Sequence, residues 1–219
     1  MIFVNFKTYQ EATGERAVGL AKIIKECAEE TGIFMASAVQ TADLKECAQI
    51  GGEVWAQHVD GLEFGRHTGA VLAEAVLEDG AKGTFLNHSE KRFADFEQLK
   101  SAVERCRAIG LKTLIFAPDV NQLRSIVSLK PDFVAYEPPN LIASIETSVA
   151  QANQEAIKET VKIAGEAGIP LIVGAGIKSR EDVQVSLKLG ARGVAVSSDI
   201  IMAQDSKKEL MYIAEGFNS

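Results

Sequence analysis

The sequence predicts an α/β fold, a single-domain (β/α)8 barrel spanning residues 1–219. Three observations point to it. Short β-rich runs alternate eight times with longer stretches, several of them helix-periodic, the pattern of successive βαβ units with parallel pairing. No Ser/Gly linker or compositional break divides the chain, so the units belong together. An open doubly wound sheet, the structural rival, usually carries a Gly-rich turn after its first strand, whereas here Lys7 is followed by TYQEATG. Eight units in one domain close most simply into a barrel, and a chain of 219 residues requires lean connections.

The elements follow in order. IFVNFK (2–7) alternates with period two, and EATGERAVGLAKIIKECAEE (11–30) then sets Val18, Ala21, Ile24 and Ala28 at three- and four-residue spacing. Glu and Lys fill the other face, and TG at 31–32 ends the helix before a second strand at 33–39. The next helical stretch stops at IGG (50–52), a third strand covers 54–58, and DG at 79–80 precedes a fourth at 83–87. FEQLKSAVERCRAIG (96–110) is again helix-periodic and ends at Gly110. The remaining strands fall at 112–117, 133–137, 170–174 and 193–197, with a helix ending at EAG (166–168) before the seventh.

Composition narrows the function classes. Hydrophobic content of 47% and charged content of 24% describe an ordinary globular chain. A net charge of −7 argues against a general nucleic-acid or membrane-surface role, which needs a basic face. A small anion remains compatible, because one lysine and aimed backbone N–H groups suffice to hold it. Cys27, Cys47 and Cys106 are widely spaced without CxxC, which argues against a zinc site or a disulfide framework, and Cys27 and Cys106 read as packed thiols. No window approaches 18 apolar residues, and MIFVNFKTYQ enters as a strand without a signal-like region, so a cytosolic location is expected.

Chemistry in such a barrel belongs at the C-terminal ends of the strands. In VNFK, alternation puts Phe3, Asn5 and Lys7 on one face and Ile2, Val4 and Phe6 on the other. The apolar set must face the helices, which points Asn5 and Lys7 into the barrel mouth. His88 sits at the tip of FLNHSE, and Glu137 at the tip of FVAYEPP, where the prolines forbid simple continuation. Singly, each has a bland account as a solvated charge, a satisfied polar group or a loop entrance. Together they bring a base, a donor and a cation to one opening.

These segments resemble a known family. NFK (5–7), NHSEKR (87–92) and AYEPP (135–139) are similar to three signature segments of triosephosphate isomerase, and AQHVDGLEFGRHTGA (56–70) and VGAGI (173–177) match two more. The match runs in order over essentially the whole chain, and its compact length and the wording EPP and GAGI resemble the short archaeal branch. The resemblance implies that Glu137 takes a proton from the carbon beside the carbonyl of a phosphorylated triose. It implies that His88 polarises the substrate oxygens as neutral imidazole, at the start of a short helical turn beginning at Ser89. Lys7 then supplies fixed positive charge and Asn5 holds substrate beside it, with no metal or organic cofactor. The resemblance implies that Ser89 contacts Glu137 when the site is open and that Glu90 braces the Lys7–His88 network; the plain readings are an N-cap for Ser89 and, on an equal footing, a first-turn acid for Glu90.

The resemblance assigns substrate contacts to Ala143 in the lid segment and to Gly174, Gly176, Ser197 and Ser198 in the phosphate loops. The family's Gly-Thr-Gly-like lid end is absent around Ala143, Ser144 and Ile145, and Ser197-Ser198 replaces a more usual Gly-Gly or Ser-Gly. HVDGLEFGRHTG (58–69) is long for a connection. It matches the family's inter-subunit loop, with Phe64 and Thr68 as interface residues. A homo-oligomer is expected, the tetramer favoured by resemblance and the dimer left open. Two rivals stand beside this reading. A phosphosugar isomerase of the amino-acid biosynthetic barrels generally places acids at the ends of strands one and five, where this chain has Lys7 and only Asp119 beyond. A noncatalytic barrel binding a phosphometabolite is favoured by the altered lid and opposed by the intact Lys7, His88 and Glu137.

Overall fold

The computed structural model describes residues 1–138 and 149–218. Among these, eight parallel strands close a barrel in chain order, with β8 returning to β1. The strands are β1 (Ile2–Asn5), β2 (Met35–Val39), β3 (Glu53–Ala56), β4 (Gly83–Leu86), β5 (Lys112–Ala117), β6 (Phe133–Tyr136), β7 (Leu171–Val173) and β8 (Gly193–Val196). Seven fall inside the segment expected from sequence, shorter by up to two residues at an end, whereas β3 starts one residue before its expected segment of 54–58 and ends at Ala56. The helices between them are α1 (Glu15–Thr31), α2 (Leu44–Gln49), α3 (Ala73–Glu78), α4 (Phe96–Ile109), α5 (Val120–Val127), α6 (Val149–Ala152), α7 (Gln154–Glu166) and α8 (Arg180–Lys188). After β8 come α9 (Ser198–Ile201) and α10 (Ser206–Ala214). No described helix is long and apolar enough to cross a membrane.

Local chemistry sets the helix ends. Asp95, Asp119 and Asp205 accept hydrogen bonds from the N–H groups of Gln98, Gln122 and Lys208, satisfying first-turn donors of α4, α5 and α10. Ser179 and Asp182 form a reciprocal capping box on α8. The helix expected over 11–30 is divided. A 3-10 turn at Gln10–Ala12 precedes α1, because Gly14 turns the chain at φ +62° and gives its N–H to Asp43. The helical turn expected at Ser89 is a tight turn instead, closed by the Lys91 N–H on the His88 carbonyl at 2.9 Å.

Two apolar layers flank the sheet. The outer one packs the strands on the helices and contains Ile2, Val4 and Phe6, the face assigned to it from alternation. All three cysteines are buried and free. The inner layer fills the barrel with Phe3, Trp55, Phe85, Leu114, Phe116 and Ile172, balanced by small residues such as Ala36, Ala38 and Ala135. Bulky and small side chains must alternate here, because eight strands leave an interior only just wide enough to fill. Gly83 shows how tight the fit is. A Cβ built there lies 2.6 Å from the Trp55 ring. Gly83→Ala therefore forces the indole aside, and we expect it to lower unfolding free energy by about 1–3 kcal/mol. Urea denaturation measures this, and an unchanged midpoint would show that the interior tolerates the added methyl.

Candidate active site

At the C-terminal end of the barrel the strand tips surround a cleft of about 570 Å³, partly open to solvent. Asn5, Lys7, His88, Glu137, Gly176, Ser197 and Ser198 all line it. The backbone is contorted where these side chains are delivered. Lys7, Asn87 and Ala175, just beyond β1, β4 and β7, adopt positive φ of 46°, 58° and 72°. Non-glycine residues enter this region at a cost, and such strain gathers at functional sites.

After β1, the Asn5 side-chain carbonyl accepts the Lys7 N–H at 3.0 Å and fixes the left-handed turn. Gln57 buttresses it from just beyond β3, donating to the Lys7 carbonyl at 2.9 Å and the Ala38 carbonyl at 3.2 Å. The Lys7 ammonium then reaches Glu90 Oε1 at 2.8 Å. Glu137 is placed by simple alternation, since Ala135 belongs to the inner layer and Glu137 is two residues on. Its N–H is held by the Ala117 carbonyl at 2.9 Å. Gly174, expected at the phosphate, borders Glu137 in the structure. A Cβ there would stand 3.0 Å from Glu137 Oε1, so the missing side chain leaves the carboxyl its room.

His88 is inside the site against the strand's alternation. Phe85 is in the inner layer and Leu86 in the outer, so an undisturbed strand would aim residue 87 inward and 88 outward. The turn at Asn87 reverses this, and the imidazole lies edge-on to the inner-layer Phe116 ring with centroids 4.8 Å apart. The Glu90 N–H donates to His88 Nδ1 at 3.2 Å. Nδ1 is thus the unprotonated nitrogen, and the neutral ring carries its proton on Nε2. Burial is the largest cause lowering the His88 pKa to about 4, outweighing the attraction of Glu90. Neutrality here follows from burial and the Glu90 N–H, not from the helical turn expected at Ser89.

His88 Nε2 and Glu137 Oε2 stand 3.2 Å apart, yet that oxygen accepts no hydrogen bond of good geometry from the described residues. Asn5 Nδ2 approaches the same ring nitrogen at 3.5 Å, a contact between two donors. Burial pushes the Glu137 pKa up to about 8, against the lowering effect of Lys7. The result is a desolvated base next to a neutral N–H donor, with a paired ammonium alongside. That set can take a proton from carbon and steady the oxyanion that forms.

Ser89 is placed beside His88 at the start of the tight turn. Its hydroxyl is buried and makes no hydrogen bond, to Glu137 or to any other described residue, because the carboxyl is turned toward His88. Glu90, by contrast, touches both Lys7 and His88. At the far end of the cleft Ala175 and Gly176 are consecutive left-handed residues. Ser197 donates its hydroxyl to the Asn5 carbonyl at 2.8 Å, and Ser198 opens α9, whose first N–H groups have no acceptor within the helix. Ala143 lies outside the described residues. Phe64 is 70% exposed and Thr68 is exposed, both on the loop after β3 and away from the cleft. Sequence reasoning missed Tyr9, Phe116, Lys178 and Asp199, which also line the cleft. Phe116 was readable from alternation on β5, and Lys178 and Asp199 from following GAGI and Ser197-Ser198.

A closed parallel barrel whose C-terminal mouth pairs a desolvated carboxyl with a neutral imidazole defines the class of barrel enzymes built for acid–base chemistry. The family described as "Triosephosphate isomerase" matches residues 1–215. The chain belongs to the triosephosphate isomerase family. It is 37% identical to the triosephosphate isomerase of Methanocaldococcus jannaschii, covering 96% of each chain. Similarity to the enzyme of Methanopyrus kandleri is 40% identity over 98% of this chain and 96% of that one. A crystal structure of triosephosphate isomerase from Bartonella henselae shares the fold, with a TM-score of 0.76 at 18% identity over 100% of this chain and 98% of that chain.

Proposed function

We propose that the protein interconverts dihydroxyacetone phosphate and glyceraldehyde 3-phosphate through an enediolate, serving glycolysis and gluconeogenesis in the cytoplasm as one barrel domain. The observation that carries this is the buried Glu137 Oε2 at the mouth of the barrel, 3.2 Å from the His88 ring nitrogen and without a hydrogen bond of good geometry among the described residues. Glu137 removes the proton beside the carbonyl and returns it to the neighbouring carbon. His88 donates from Nε2 to the oxygens on which charge develops, and a neutral donor gives up no charge pairing to do so. Lys7 adds fixed positive charge, held in place by Glu90, and Asn5 bounds the substrate on the same side. The phosphate end is assigned to Gly176, Ser197 and Ser198, where backbone N–H groups bind an anion without a side-chain cation. Ala143 in the lid completes the substrate contacts. A coupled assay with dihydroxyacetone phosphate tests the reading. Saturable turnover abolished by removing the Glu137 carboxyl supports it, and an inactive, folded wild type returns the chain to the noncatalytic alternative.

Self-association through the loop after β3 belongs to the same reading. Phe64 is more exposed than Leu77, Phe96 or Met202, and the neck of its loop is pinned by Asp60, whose carboxylate accepts the Val71 N–H at 2.8 Å. A protrusion carrying an apolar tip suits insertion into a second copy, and the family resemblance favours a tetramer with the dimer left open. Light scattering at micromolar concentration is expected to give at least a dimer burying about 1,200 Å² or more. Phe64→Asp is expected to shift it toward monomer, and a fully active wild-type monomer would sink the interface assignment.

A further inference from the structure

We propose that Asn87 is the positioning residue that turns His88 into the site: its left-handed backbone reverses the alternation of β4, and its side-chain amide fastens that turn to β5. The inference rests on the role assigned to His88 above and adds the residue on which that role depends.

The register makes the need concrete. On β4 and β5, Phe85 faces Leu114 and Leu86 faces Ile115, so residue 87 comes opposite Phe116 as the ladder ends. The carbonyls of β5 alternate between neighbours, and the Ala117 oxygen accepts the N–H of Glu137, just beyond β6. The Phe116 carbonyl therefore faces β4. Asn87 Nδ2 donates to it at 3.1 Å, taking the place of the backbone donor lost when β4 turns away. Asn87 itself is 9% exposed at φ +58°. Asparagine is among the few side chains that enter this region readily, because its short amide bonds locally.

Phe116 joins the two residues. Its carbonyl holds Asn87, and its ring packs edge-on against His88 at 80° between planes. On the far side of the turn, the Glu90 N–H fixes the imidazole nitrogen, and the Lys91 N–H takes the His88 carbonyl. The ring is thus held on two sides, by the Glu90 N–H and by Phe116, while the Lys91 N–H holds the backbone that carries it, and all three contacts follow the turn made at residue 87.

The test compares Asn87→Gly with Asn87→Ala. Both delete the amide, but glycine adopts positive φ freely and alanine does not. Asn87→Gly is expected to lower kcat about 10-fold and Asn87→Ala about 100-fold, the scale of a misplacement near 1 Å, with KM changed less than about 2-fold in both. A purely structural role lowers thermal stability and leaves kcat per folded molecule at the wild-type value, which overturns the proposal. Equal losses in the two variants also overturn it, since the left-handed turn would then not matter. Should Asn87→Ala prove insoluble, Asn87→Gly decides alone, a 10-fold loss at unchanged KM supporting the proposal and wild-type kcat ending it. NMR titration of the His88 ring without substrate separates this from the functional reading. The ring is expected to stay neutral through pH 6.5 in the wild type and to titrate near that value in Asn87→Ala. That result stands even if the wild type fails to turn over dihydroxyacetone phosphate, and an unmoved His88 titration in Asn87→Ala counts against the turn.

Discussion

Glu137→Asp is expected to keep the barrel and its affinity for substrate while lowering kcat about 100-fold or more. The shorter side chain still ionises, but its carboxylate is withdrawn by roughly 1 Å from the carbon whose proton it must reach, and displacements of that size carry losses of this order. The geometry offers no compensating shift, because the Glu137 backbone is held by the Ala117 carbonyl and the wall behind is formed by Gly174. The wild-type pH profile belongs to the same expectation. Burial raises the Glu137 pKa from 4.5 to about 8, and the group works as the carboxylate. The sign follows: kcat/KM climbs as pH rises through the free-enzyme ionisation, and the acid limb lies well above the ordinary carboxyl range. Near-normal turnover by the aspartate variant would remove Glu137 as the base. An acid limb near 4.5 would mean that its carboxyl is hydrated in solution.

His88→Gln is expected to lower kcat about 100-fold and to leave the affinity for a ground-state analogue within about 3-fold. Glutamine still offers an N–H donor, so the loss comes from aim. The imidazole is held because Nδ1 takes the Glu90 N–H while Nε2 faces the cleft, and its ring edge rests on Phe116. A flexible amide has one acceptor and a rotatable arm in place of that fixed pair. Donor strength matters most as charge builds on the substrate oxygen, which is why the transition state suffers more than the ground state. Equal losses in kcat and in analogue affinity would contradict this role.

The alternation of VNFK pointed Asn5 and Lys7 at the mouth, because inner and outer layers of a barrel impose a strict two-residue period, while Glu137 was read from its place at the tip of FVAYEPP. The same rule placed Phe3 inside and Ile2, Val4 and Phe6 against the helices. His88 lay beyond its reach. A period-two reading aims it outward, and only the left-handed turn at Asn87 shows otherwise. Its place at the tip of the fourth strand, and then the resemblance, brought His88 to the site where periodicity did not. The Gly174 contact with Glu137 and the Gly83 contact with Trp55 were also illegible, since each joins segments that share no local pattern. The neutral imidazole was foreseen for another reason than the one found. A tight turn replaces the helical turn, because no further residues of NHSEKR enter helix before α4 begins at Phe96.

The hydrogen bond from Ser197 to the Asn5 carbonyl crosses 192 residues of sequence. It lies on the seam where the last strand meets the first, which the Val194 N–H also stitches to the Met1 carbonyl at 3.0 Å. A chain emerging from the ribosome lays down Asn5 and Lys7 first and β8 last. Until that final strand docks, β1 has a bare edge and the segment bearing the lysine lacks one of its two flanking walls. Local helices and the early strand pairs form without this step, but long-range closure is slow because the intervening loop entropy must be lost first. Competence therefore arrives late in the life of each new molecule, with ring closure, and a chain stalled short of β8 carries Lys7, His88 and Glu137 without the frame that holds them together.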